Sequence, residues 1–133
     1  MFSHVMVGAN DLSKMVVFYD AVLGALGLVR DDRRPLDHPA GAIWQHPGHR
    51  WPQFALRKPF NNEPAGPGNG VQISFAAQSE EMVRTVWQIA ISRGGADEGP
   101  PGFRPQYSAD FYAAYCRDLE GNKLCFVHAG GLA

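Results

Sequence analysis

HVMVGANDLSKMVVFYDAVLGALGL, residues 4–28, decides the fold. His4 to Val7 is a short β-forming run, and Asn10 and Asp11 then supply the side-chain oxygens that cap a helix. Leu12, Met15, Val16, Phe18, Tyr19, Val22 and Leu23 follow at helical spacing, and Gly24 and Gly27 bracket the helix exit. The stretch predicts a strand, a helix, and a return strand over 26–30. Working outward, 42–45 and 53–57 are two further short strands, joined through His46, Pro47, Gly48 and His49 as a tight hairpin. The module reads β-α-β-β-β.

The pattern starts again at VQISFAAQSEEMVRTVWQIAISRGG, residues 71–95. Val71, Ile73 and Phe75 alternate with Gln72, Ser74 and Ala76 as a half-buried strand, and Ser79, Glu80 and Glu81 place a cap and negative charge at a helix start. Met82, Val83, Val86, Trp87, Ala90 and Ile91 form the apolar face of that helix. Strands follow at 111–116 and 123–128, separated by the turn Asp118-Leu-Glu-Gly-Asn122. His4 falls on Gln72 and Gly27 on Gly95 at the same offset of 68 positions, a weak internal repeat. The fold class is therefore α+β. Two βαβββ modules, one at about 1–60 and one at about 71–133, flank a Pro- and Gly-rich connector at about 59–70, and their curved sheets are expected to form one cleft for a small-molecule ligand.

Composition bounds the function. A chain of 133 residues is one domain of ordinary size, and 12 Lys and Arg against 13 Asp and Glu offer no basic surface for nucleic acid. No run is long and apolar enough to span a membrane and the start lacks secretory character, so the expectation is a cytoplasmic protein. Cys116 and Cys125 are expected as free thiols.

Alternation selects the side chains facing the cleft. With Val5 and Val7 packed on the first helix, His4 and Met6 face the other way; Gln72 and Ser74 do so in the second module, as does Cys125 once Leu124 and Phe126 are given to the core. His4, Gln72 and Cys125 are thus candidates to converge. Arg104 and Tyr107 lie on the proline-stiffened segment 99–107, a lid-like loop in this reading. Tyr112 and Tyr115 occupy opposite faces of one strand, so one at most lines the cleft. Ser74, Arg104, Tyr107 and Tyr115 make up the candidate ligand-binding set. His46 and His49 read as exposed turn residues, and Trp44 and Trp87 as core aromatics.

His4-Val-Met-Val with Asn10-Asp11-Leu12, Phe18-Tyr19, Leu26-Gly27-Leu28, Gly68-Asn69-Gly70-Val71, Gly102-Phe103-Arg104-Pro105, Tyr112-Ala113-Ala114-Tyr115 and Arg117-Asp118-Leu119-Glu120-Gly121-Asn122-Lys123-Leu124 occur in an order that spans nearly the whole chain. In that order they resemble the vicinal oxygen chelate superfamily, which includes glyoxalase I, bleomycin-resistance proteins and extradiol dioxygenases. The resemblance implies a divalent metal (Fe, Mn, Ni or Zn) held at the positions of His4, Gln72 and Cys125, of which only His4 keeps the family's ligand type. It also implies a homodimer. Two functions stay open: a metal-dependent lyase or dioxygenase acting on a small oxygen-bearing molecule, or a metal-free, non-catalytic binder of an antibiotic-type ligand. The residues themselves also admit plainer roles, with His4 bonded to its neighbours, Gln72 a polar cleft residue, Cys125 a small buried hydrophobe and Arg104 a solvated loop cation.

Overall fold

The computed structural model describes residues 1–132; residue 133, the end of the expected second module, lies outside the described residues. The chain divides into two compact units, Met1–Gly66 and Pro67–Ala133, with the boundary inside the expected connector. Each unit is one βαβββ module.

In the first unit, β1 (His4–Gly8) leads into α1 (Leu12–Ala25), followed by β2 (Val29–Arg30), β3 (Ala42–Gln45) and β4 (Gln53–Arg57). The sheet order is β1-β4-β3-β2, with β1 parallel to β4 and the other pairs antiparallel. Asp11 caps α1 by accepting from Lys14 N at 3.1 Å. Asn10 serves elsewhere: its amide donates to Ala65 O and accepts from Ala65 N at 2.9 and 2.7 Å, tying the helix entry to the end of the unit. The α1 stripe Met15, Phe18, Tyr19, Val22 and Leu23 is buried against one face of the sheet, where Tyr19 lies 4.8 Å from Phe54 and 6.0 Å from Trp44 between ring centroids. Each such side chain contributes about 1.5–3 kcal/mol by leaving water. Trp44 is 1% exposed and donates its indole N–H to Asp20 at 3.0 Å.

Three expectations for this unit change. The return strand shrinks from 26–30 to Val29–Arg30, because Leu26 is the helix cap, buried, with its N–H on Leu23 O. Val5 shares a face with Phe54 but stays 36% exposed on the edge strand β1, whereas Val7 on the same strand is buried. The hairpin is not tight: residues 46–52 separate β3 from β4, and the His49 N to His46 O turn fills only the first part.

In the second unit, β5 (Gln72–Ala76) and α2 (Glu80–Ser92) precede β6 (Ala96–Phe103), β7 (Tyr112–Arg117) and β8 (Lys123–His128), and the sheet order is β5-β8-β7-β6. Ser79 caps α2 by accepting from Met82 N at 3.0 Å. Val83, Val86 and Ala90 are buried on the sheet face that carries Tyr112, whose hydroxyl accepts from Arg84 of α2 at 3.2 Å. Trp87 is half-buried rather than fully in the core, with its indole N–H on Tyr115 O. Asp118, 4% exposed, shapes the β7–β8 turn by accepting from the N–H groups of Glu120 and Asn122.

The segment expected as a lid-like loop from residue 99 is strand up to Phe103. A strand containing Pro100 and Pro101 is tolerated because β6 is an edge, and because its pairing with β7 slips between Asp97 and Gly99 and again between Gly99 and Gly102, where no ladder donor is required. Cys116 and Cys125 are both buried and free; register puts Cys116 beside Leu124 and Cys125 beside Tyr115, on opposite faces of the sheet, which keeps them from bonding to each other.

Candidate functional site

Strand alternation builds the site on the face of the second sheet turned away from α2. Gln72 of β5 pairs with Lys123 of β8, Ser74 with Cys125, and Cys125 in turn with Tyr115 of β7, so these side chains share one face. Beneath them Ala113, Cys125 and Val127 form a small buried cluster, roofed by the half-buried rings of Phe111 and Tyr115. Above it is a cavity of about 560 Å³ reached by Gln72, Glu98, Arg104, Gln106, Tyr107, Phe111, Tyr115 and Lys123.

Two cations converge on the Tyr115 ring. The Arg104 guanidinium lies 5.4 Å from its centroid and the Lys123 ammonium 5.5 Å, distances at which the ring quadrupole attracts both. Backbone geometry fixes the guanidinium. Arg104 donates to Pro100 O at 2.8 Å, and two glycines leave it room: a Cβ on Gly99 would sit 3.2 Å from Nη2, and one on Gly102 would sit 3.1 Å from Nη1. Glu98 does not neutralise these cations, because its carboxylate accepts from Arg117 Nε at 2.6 Å. Among the described residues neither Arg104 nor Lys123 forms an ion pair, so the cavity keeps a positive field.

On the same face, Gln72 Nε2 donates to Ser74 Oγ at 3.0 Å. Burial pushes the Cys125 thiol up from its ordinary pKa, against the pull of hydrogen bonds from Ser74 and Tyr115 and of the nearby Arg104 and Lys123 charges. Tyr115 is pushed up to about 12, mainly by burial. Both groups are protonated at neutral pH.

Of the residues singled out from sequence, Gln72, Arg104, Tyr107 and Tyr115 line the cavity, while Ser74 and Cys125 adjoin it from the same face. His4 belongs to the other unit, is exposed, and holds Ser3 Oγ at 2.9 Å with the Trp51 ring 6.3 Å away. His46 and His49 are exposed, as expected of turn residues. Sequence reasoning missed Lys123, Glu98, Gln106 and Phe111. Lys123 was within reach, since alternation from Cys125 assigns it the same face; Glu98 was hidden because the sequence gives no sign of the strand that carries it.

The donor set of this face does not fit a divalent metal. It presents a neutral amide and a thiol kept protonated by burial, with an ammonium and a guanidinium beside them. A divalent cation favours deprotonated or imidazole donors and is repelled by fixed positive charge. Among the described residues no group of three or more His, Cys, Asp and Glu gathers in ligating positions.

Two βαβββ modules, the second with a cavity on the sheet face turned away from its helix, define the fold class. The sequence profile of the Glyoxalase/Bleomycin resistance protein/Dioxygenase superfamily matches residues 1–126, and the chain belongs to that superfamily. A glyoxalase/bleomycin resistance protein from Albidiferax ferrireducens T118 is similar over 97% of this chain and 98% of its own, at 42% identity and a TM-score of 0.80. A glyoxalase-related enzyme from Fulvimarina pelagi (17% identity, 97% and 88% covered, TM-score 0.72) and TioX from Micromonospora sp. ML1 (18%, 96% and 98%, TM-score 0.66) share the fold. No protein of curated function matches the chain. Among the described residues no helix is long and apolar enough to cross a membrane.

Proposed function

We propose that the chain binds a small, oxygen-rich, aromatic or otherwise amphipathic anion in the cavity around Tyr115, and that it does so without a metal, in the manner of the non-catalytic branch of its superfamily rather than as a lyase or dioxygenase. The observation that carries the reading is the pair Arg104 and Lys123, both held over one ring and neither neutralised. Tyr107, Phe111 and Tyr115 supply the apolar wall, and Gln72 and Gln106 can hydrogen-bond further oxygens. Arg104, with its plane set by Pro100 O, recognises a carboxylate or related oxyanion directionally, whereas Lys123 acts as a point charge.

The test is calorimetric titration with 2-naphthoate, an aromatic carboxylate, against naphthylmethylammonium, its cationic counterpart. The carboxylate binds and the ammonium does not; Arg104→Gln and Lys123→Gln each weaken the carboxylate, and prior treatment with a chelator changes nothing. Equal affinity for the two probes, or loss of binding on chelation, overturns the reading. A cytoplasmic homodimer completes the proposal: β1 and β5 are edge strands, and Met6 of β1 and Val71, just before β5, are 54% and 60% exposed.

A further inference from the structure

The first unit carries a second group of cations, built in a different way. Arg33, Arg34, Arg50 and His49 surround a cavity of about 390 Å³, with Gln45 and Gln53 as its amide floor and Asp31 at its side. Three guanidiniums against Asp31 and the nearby Asp32 still leave a surplus of positive charge with His49 neutral.

The arrangement is organised rather than merely basic. Asp31 extends β2 through its N–H on Ile43 O at 2.8 Å, and its side chain is only 6% exposed. One carboxylate oxygen accepts from Arg33 Nε at 2.8 Å; the other accepts from Arg33 Nη2 at 3.0 Å and from Arg34 Nε at 3.3 Å. A single anion therefore orients two guanidiniums and still leaves their remaining N–H groups free to donate. Arg50 approaches from the β3–β4 connection. Its backbone carbonyl accepts from Gln53 Nε2 at 2.8 Å, which anchors it to the sheet, and its guanidinium stacks 5.1 Å over Trp51. Among the described residues that guanidinium makes no hydrogen bond or ion pair, so all its donors are available. His49 has Nδ1 on Pro47 O at 3.1 Å, leaving Nε2 outside that contact.

We infer that this cavity is a binding site for a phosphoryl-type oxyanion, the terminal group of a phosphomonoester or pyrophosphate. Such a group offers several oxygens to planar donors arriving from different directions, as the guanidiniums of Arg33, Arg34 and Arg50 do. Asp31 is a positioning residue: it holds two of the three in place before the anion arrives and so reduces the side-chain ordering that binding would otherwise require. The inference is independent of the reading given to the Tyr115 cavity.

The full chain is titrated with pyrophosphate by calorimetry at low ionic strength, with far-UV circular dichroism confirming that each variant is folded. Wild type binds with a Kd below about 1 mM. Arg34→Gln and Arg50→Gln each weaken binding about fivefold or more, while Arg104→Gln, which removes a cation of the other cavity, leaves this binding in place. Asp31→Asn separates organisation from bulk charge. Deleting a negative charge strengthens anion binding if the field alone matters, but weakens it if Asp31 positions the guanidiniums, and weakening is the expected result. Three results each overturn the inference: no binding in wild type, loss only in Arg104→Gln, or tighter binding in Asp31→Asn. If Asp31→Asn does not fold, the Arg34 and Arg50 variants decide.

Discussion

Gly99→Ala probes how the backbone sets the Arg104 position. Gly99 has φ +152°, a region that side-chain-bearing residues rarely adopt, and it pairs with Tyr115 at the slipped part of the β6–β7 ladder. Holding alanine there costs of order 1–3 kcal/mol. The added Cβ would also lie 3.1 Å from Tyr115 Cδ2 and 3.2 Å from Arg104 Nη2, so ring and guanidinium are pushed apart at their contact. For a domain of this length 1 kcal/mol corresponds to roughly 3–5 °C in Tm, which gives an expected drop of about 3–15 °C in a thermal unfolding experiment. Losing the set guanidinium removes one charge-assisted contact, about tenfold in 2-naphthoate affinity. Gly102→Ala supplies the contrast. Its φ lies outside the strained range and its Cβ would meet only the far end of Arg104, at 3.1 Å from Nη1. Stability should barely change while affinity falls. If Gly99→Ala leaves Tm and affinity at wild-type values, the backbone does not position Arg104 and the reasoning fails.

The buried thiols carry a pH signature. Burial pushes Cys116 up to about 12 from an ordinary value of 9.0, so its stabilising contribution is complete below about pH 9 and is lost as pH rises towards 12; chemical denaturation should show stability falling over that alkaline range, less steeply in Cys116→Ala. Asn10→Ala removes both bonds to Ala65 and should cost about 1–2 kcal/mol, read as a lower denaturation midpoint. Light scattering at micromolar concentration should give twice the 14.6 kDa chain mass if the homodimer proposal holds; a value near 15 kDa refutes it.

Most of the architecture was legible because the chain states it twice. Helix starts at Asp11 and Ser79, the strands at 42–45, 53–57 and 123–128, and the β-α-β-β-β order all follow from local chemistry that packing then reinforces. β6 was not legible, since its sequence, ADEGPPGF, carries neither alternation nor β-branched residues, and only its edge position and broken register make it a strand. The same gap hid Glu98. Arg104 and Tyr107 could be picked out as a cation and an aromatic on a stiff segment, but their convergence on Tyr115 depends on where β6 ends. Lys123 shows the opposite failure, a residue whose face was deducible from its neighbour and whose partner ring was not.

The face around Cys125 also explains how a fold associated with metal chemistry can hold cations of its own. Replacing Gln72 by His and Cys125 by Glu restores an imidazole and a carboxylate on adjacent strands of one face, the donor types a divalent transition metal prefers. Lys123 would remain, two residues along β8 from the new carboxylate and so roughly 7 Å away. At that distance an ammonium opposes a divalent ion by about 1 kcal/mol even in water-like surroundings, and by more as solvent is excluded. The carboxylate of the double variant would also be drawn towards Lys123 and Arg104 as well as towards the metal. Calorimetric titration with Zn²⁺ should therefore show tighter binding in the double variant than in the parent. A further gain of about fivefold or more should follow when Lys123→Gln is added, while affinity for 2-naphthoate falls in the same triple variant. Metal and anion would then compete for one electrostatic environment. If adding Lys123→Gln leaves Zn²⁺ affinity unchanged, Lys123 does not bear on the site, and the account of why this chain disfavours a metal is wrong.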